Sequence, residues 1–164
     1  DALVENPQGG CDPLFVKALS EVFRELAMAV IRDAEGASKF VTVQVSGAAS
    51  VEECLAVAYA VAESPLVKTA LFASDPNWGR ILAAIGRAGV DALVIEEVTI
   101  HLGDTLIVEG GARSASYTEE AGQREMNKQD ILIAIDLHRG DVRETVYTSD
   151  LSHDYVSINA DYRS

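Results

Sequence analysis

The order of apolar patterns in this 164-residue chain predicts a layered α/β or α+β domain, with helices covering the faces of a sheet. Three observations carry that expectation. Helical periodicity is concentrated in the first half, β-branched alternating runs recur from residue 40 to residue 148, and Gly-containing turns between the later runs mark antiparallel hairpins.

The elements follow in order. Asn6-Pro7-Gln8-Gly9-Gly10 is a breaker cluster, read as a loop. Asp12 caps a long helix with Pro13 next, and Leu14, Phe15, Ala18, Leu19, Val22, Phe23, Leu26, Ala27, Val30 and Ile31 form a continuous apolar stripe, predicted to be buried. The polar run 32–39 separates it from Phe40-Val41-Thr42-Val43-Gln44-Val45, whose alternation reads as a strand. Ser50 with Glu53 three residues on forms a capping box for a second helix, which Pro65 ends or bends. Ser74 or Asp75 caps a third helix with Pro76 at its first position; Trp78, Ile81, Leu82 and Ile85 share one face, and Gly86 or Gly89 ends it. Ala92 to Ile100 and Thr105 to Glu109 bracket a Gly103-Asp104 turn. Residues 118–128 suit a short polar helix. Ile131 to Leu137 and Val142 to Thr148 bracket His138-Arg139-Gly140-Asp141 as a second hairpin. No internal linker or repeat divides residues 1–164.

Composition narrows the function classes. At 48% hydrophobic and 24% charged, the chain has material for a real core. A formal net charge of -13 argues against a nucleic-acid partner, which calls for a basic surface. No G-x-G-x-x-G opens a helix after a strand, which disfavours a Rossmann fold, and no G-x-x-x-x-G-K-[ST] P-loop is present. Cys11 and Cys54 lack metal or redox spacing and read as free thiols, and His101, His138 and His153 are scattered, so no metal is implied. The apolar runs are too short and interrupted to cross a bilayer and no signal peptide is apparent, which predicts no membrane contact and a cytoplasmic location.

Three strings stand out. The first is Lys68-Thr69-Ala70-Leu71-Phe72-Ala73-Ser74-Asp75-Pro76-Asn77-Trp78-Gly79-Arg80-Ile81-Leu82-Ala83-Ala84-Ile85-Gly86-Arg87-Ala88-Gly89, which by itself reads as a capped packing helix with a thin face at Gly79, Ala83 and Gly86. The second is Asp33-Ala34-Glu35-Gly36-Ala37-Ser38-Lys39-Phe40, a charged helix-to-strand loop. The third is the tail from Asp150 to Ser164. Together they resemble the ornithine acetyltransferases, also called bifunctional glutamate N-acetyltransferases. In that family Gly commonly stands where this chain has Ala34, Thr where it has Ser38, and often Thr where it has Ser164.

The resemblance implies more than the residues do. Family members are precursors that cleave themselves into an alpha and a beta chain, exposing a Thr at the new amino terminus of beta, whose own amine can act as base for its hydroxyl. Acetyl passes from N-acetylornithine to that hydroxyl and then to glutamate; many members also accept acetyl-CoA, as a substrate, and no cofactor is implied. The implied architecture resembles N-terminal-nucleophile enzymes and is completed by the alpha chain, in an alpha2beta2 or higher assembly. This chain begins at Asp1, and Thr42, Thr69, Thr99, Thr105, Thr118, Thr145 and Thr148 are all internal. The expectation is therefore a carboxy-terminal part of a beta chain, with the nucleophile in the missing amino-terminal part. Family binding positions carry over onto Glu35, Asn159 and Ser164, with Glu35 for a substrate ammonium and Asn159 with Ser164 for a carboxylate or amide. Two rival readings are an N-terminal-nucleophile aminopeptidase and a noncatalytic small-molecule-binding scaffold.

Overall fold

Asp12 caps the first helix as its sequence predicts, its carboxylate accepting the Leu14 N–H at 2.8 Å with Pro13 at the first helical position. The computed structural model describes residues 12–162. Its elements are α1 (Pro13–Arg32), β1 (Phe40–Ala48), α2 (Val51–Ala62), α3 (Pro65–Phe72), α4 (Trp78–Gly86), a single 3-10 turn (Ile95–Glu97), β2 (Thr99–Leu102), β3 (Thr105–Glu109), β4 (Ala112–Arg113), α5 (Glu119–Met126), β5 (Asp130–Asp136), β6 (Val142–Ser149) and α6 (His153–Asp161). The Asn6 to Gly10 loop and Cys11 lie outside the described residues.

The strands form one mixed sheet in the order β4-β3-β2-β5-β1-β6, with β1 and β5 parallel and the other neighbours antiparallel. Strand alternation places Val41, Val43 and Val45 beside Ile131, Ile133 and Ile135, then Ile100 and Leu102, on one face. All are buried. Against them pack Val57, Ala58 and Val61 of α2 and Ile81, Ala84 and Ile85 of α4 in one continuous core. Burying each Val or Ile there contributes about 1.5–3 kcal/mol. The opposite face carries Thr42, Gln44, Ser46 and His101, all half-buried, and Leu132, which is exposed. The α/β layering is as predicted.

Several details differ. The stretch from Ile131 to Thr148 is not a hairpin, because β1 lies between β5 and β6. The connecting loop crosses the end of β1, with Leu137 N–H donating to Ser46 O at 2.9 Å and Arg139 N–H to Gly47 O at 2.6 Å. Gly140 is needed where a Cβ would strike the Ala48 carbonyl. A short Gly-containing loop thus looks the same in sequence whether it joins neighbours or steps over a strand. Pro65 does not simply end a helix. It opens α3 behind a Ser64 cap that accepts the Val67 N–H, and α3 turns 55° from α2. The cap of α4 is Asn77, accepting the Arg80 N–H at 3.1 Å, since Ser74 at φ 54° and Pro76 belong to the preceding turn. The run from Ala92 contributes only the 3-10 turn and β2. Ser50 caps α2 as read, accepting the Glu53 N–H at 3.3 Å. The predicted capping box is not closed on Ser50, because the Glu53 carboxylate reaches one residue further back to the Ala49 N–H and pairs with Arg139 at 3.1 Å.

The predicted burial of the α1 stripe is also corrected, for no residue of α1 is buried in this structure. Only its last turn is anchored, by Arg32 bonded to Asp130 and lying over the Phe40 ring. Among the described residues no single helix is long and apolar enough to cross a bilayer. Cys54 is a free, buried thiol whose pKa is pushed up by that burial.

Candidate functional site

The second and third strings meet in space. After α1, Ala37 N–H closes a turn onto Ala34 O at 3.0 Å, with Gly36 at φ 68°. Gly36 serves two needs. The left-handed backbone suits glycine, and a Cβ there would lie 2.8 Å from the Ser152 Oγ and the Tyr155 N, so its absence lets the loop press on the first turn of α6. Ser152 is the α6 cap, accepting the Tyr155 N–H at 3.2 Å. This close approach sets Glu35 beside α6, where Asn159 Nδ2 donates to its Oε2 at 3.2 Å and to the Tyr155 carbonyl at 2.8 Å. Both Asn159 amide hydrogens are then used, so the atom left free is its carbonyl oxygen. Glu35 and Asn159 are both exposed.

Beneath this pair sits Asp150, 4% exposed, just after β6. Its carboxylate accepts the backbone N–H groups of Ser38 at 2.8 Å and Lys39 at 3.0 Å, and the Ser38 hydroxyl as well. Lys39 does not face water as a loop lysine would. Its ammonium donates to Ser74 Oγ and to the Met126 carbonyl, both at 2.6 Å. Burial lowers the Lys39 pKa, opposed by the nearby Asp150 charge. Lys68 behaves alike, donating to Thr148 Oγ1 at 2.9 Å and to the Ser149 carbonyl, with its pKa lowered by burial against the pull of Asp150. The first string therefore joins the second through Ser74 and the third through Lys68, whose carbonyl accepts the Leu151 N–H at 3.2 Å. An open cleft of about 250 Å³ beside this hub is lined by Arg32, Ala37, Ser38, Lys39, Phe40 and Gln129, not by Glu35 or Asn159.

Comparison with known proteins now bears on these strings. The ArgJ family profile matches residues 8–164. The chain belongs to the ArgJ family. It is 56% identical over 154 residues to the "Arginine biosynthesis bifunctional protein ArgJ" of Pseudomonas fluorescens, covering 92% of this chain and 38% of the relative. It is 59% identical over 152 residues to the protein of the same name from Psychrobacter arcticus, covering 93% and 37%. A crystal structure of ArgJ from Bacillus halodurans superposes with a TM-score of 0.87 at 34% identity, over 96% of this chain and 74% of that one. The chain thus spans less than two-fifths of the length of the curated ArgJ relatives it matches. The family resemblance drawn from the three strings is borne out, and so is the mixed α/β fold.

Of the three carried-over ArgJ positions, the structure brings Glu35 and Asn159 together, and Ser164 lies outside the described residues. Asp150 escaped the sequence reading as an individual residue. Its signal was faint, an acidic residue at the head of a tail string, and its partners lie 111 and 112 positions away. No group of His, Cys, Asp or Glu among the described residues is arranged to hold a metal ion.

Proposed function

We propose that this chain is the recognition part of an acetyltransferase of arginine biosynthesis, a carboxy-terminal portion of an ArgJ beta chain whose catalytic Thr lies in a segment outside it. The observation that carries this reading is the Glu35 to Asn159 contact, which joins two family binding positions 124 residues apart in a chain of that family. In the proposed reaction the Thr hydroxyl attacks the acetyl carbonyl of N-acetylornithine, its proton passing through the chain's own terminal amine to the departing ornithine nitrogen. The C–N bond breaks as an acetyl ester forms. Glutamate's amine then attacks that ester, giving N-acetylglutamate and restoring the hydroxyl. The tetrahedral oxyanion of each step is met by fixed donors of the alpha chain. Acetyl-CoA is a second acetyl donor in this scheme.

Glu35 and Asn159 turn acceptor oxygens outward, the Glu35 carboxylate and the Asn159 carbonyl. That suits a substrate ammonium. On this proposal Asn159 accepts from the cationic end of the substrate, in place of the carboxylate or amide expected for it with Ser164, and the carboxylate is left to Ser164 and to groups outside this chain. Cleavage of the precursor finds support in proportions. This chain fills 74% of the solved ArgJ chain but 37–38% of the curated relatives, so the solved chain is about half their length, as a protein working in two pieces would be. An alpha2beta2 assembly in the cytoplasm completes the proposal.

The test is to incubate the complete protein with N-acetylornithine and glutamate and to follow both products. Stoichiometric ornithine and N-acetylglutamate are expected. Amine release without acetylglutamate would replace the reading with a peptidase, and no turnover of either substrate would leave the scaffold reading in its place.

A further inference from the structure

The helix α1 is the one long element that the described core does not use. Phe15, Val16, Leu19, Val22, Phe23, Leu26 and Val30 are all 39–73% exposed, along a 20-residue helix about 30 Å long. Lys17, Glu21, Arg24 and Glu25 occupy its other side. A continuous apolar strip of that length is far from the scattered single residues of an ordinary surface. The body of the chain holds only the last turn, through Arg32.

We infer that this face is the docking surface for the part of the ArgJ polypeptide that lies outside these 164 residues, and that α1 is a core helix shared with it. Three observations select that occupant. More than three-fifths of the length of the curated relatives is unmatched by this chain, so the material to cover the helix exists in the same protein. At 100° per residue, the strip from Val22 through Phe15, Leu26, Leu19, Val30 and Phe23 to Val16 covers an arc of about 120°, the breadth of a core-facing helix and wider than a two-helix seam. A second copy of this body would also bring together two surfaces of net charge -13, which repel. The inference rests on the chain being part of a longer ArgJ protein and not on its reaction.

The test uses the complete protein carrying either Val22→Cys on the apolar face or Arg24→Cys on the polar face, with the rate of maleimide labelling read at each site by peptide mapping. Val22→Cys should label at least 100-fold more slowly than Arg24→Cys, at every protein concentration. Equal rates would overturn the inference, and so would protection that vanishes on dilution, which would assign the face to a second copy. Should Val22→Cys fail to fold, hydroxyl-radical footprinting of the unmodified protein reads the same surface. Phe15, Phe23 and Leu26 should be oxidised at least tenfold more slowly than in urea, and oxidation at unfolded rates would refute the docking. Neither measurement depends on acetyl transfer.

Discussion

Removing the Asp150 carboxylate should release the Glu35 loop from α6 while leaving the core in place. Asp150→Ala strips the acceptor from two backbone N–H groups, those of Ser38 and Lys39, and from the Ser38 hydroxyl. Each buried donor left unpaired costs about 1–3 kcal/mol. Ser38 is exposed and its N–H can turn to water, whereas Lys39 is half-buried, so we expect a local loss of about 2–4 kcal/mol. Asp150→Asn keeps one acceptor oxygen and should lose about half as much. Hydrogen exchange with peptide mapping reads this directly in the complete protein. A loss of that size lowers protection of the 34–39 and 150–160 segments by about 30-fold to 1,000-fold, with strands β1 and β5 unchanged. Protection of the loop within threefold of the parent in Asp150→Ala would refute the idea that this carboxylate holds the site together.

Other outcomes follow from neighbouring residues. Gly36→Ala places a methyl 2.8 Å from the Tyr155 N in a left-handed backbone, so it should destabilise by about 1–3 kcal/mol in urea unfolding, against about 0.4–1 kcal/mol for Ala34→Gly in the same loop. Lys39 should titrate below the ordinary lysine value of 10.5, followed by NMR of its side-chain methylene next to the ammonium, and lower still in Asp150→Asn. Because the unfolded chain then holds the proton more tightly, the Lys39 contribution to stability rises with pH between its folded value and 10.5. A Lys39 value at or above 10.5 would contradict the burial described for it.

Much of this fold was legible because local chemistry and tertiary context agree. Asp12-Pro13 and Ser50 cap their helices as read, and the alternation in 40–45 and 131–137 names the face that meets α2 and α4. The misreadings share a cause. Pairing between β5, β1 and β6 is set by strands far apart in sequence, and the 138–141 loop carries no mark of the strand it crosses. An amphipathic helix states that a face will be buried, not which polypeptide will bury it, and α1 shows the difference. Residues 153–161 form a helix that a tail of mixed polar residues did not announce. The site was legible only through family resemblance, since nothing in the composition of 33–40 or 150–164 links Glu35 to Asn159 or Lys39 to Asp150. Those contacts follow from β1 and β6 lying side by side, which brings the loop before one against the turn after the other.

The most direct test of the account is the effect of Glu35→Gln on acetyl transfer by the complete protein. Loss of a charge-assisted hydrogen bond to a substrate ammonium is worth about 1.5–3 kcal/mol, so kcat/KM for N-acetylornithine should fall at least about tenfold. Hydrogen exchange of the 150–160 segment should stay as in the parent, since Asn159 can donate to the Gln carbonyl as it does to the carboxylate. An unchanged kcat/KM in a folded, correctly cleaved Glu35→Gln protein would contradict the assignment of substrate recognition to this chain.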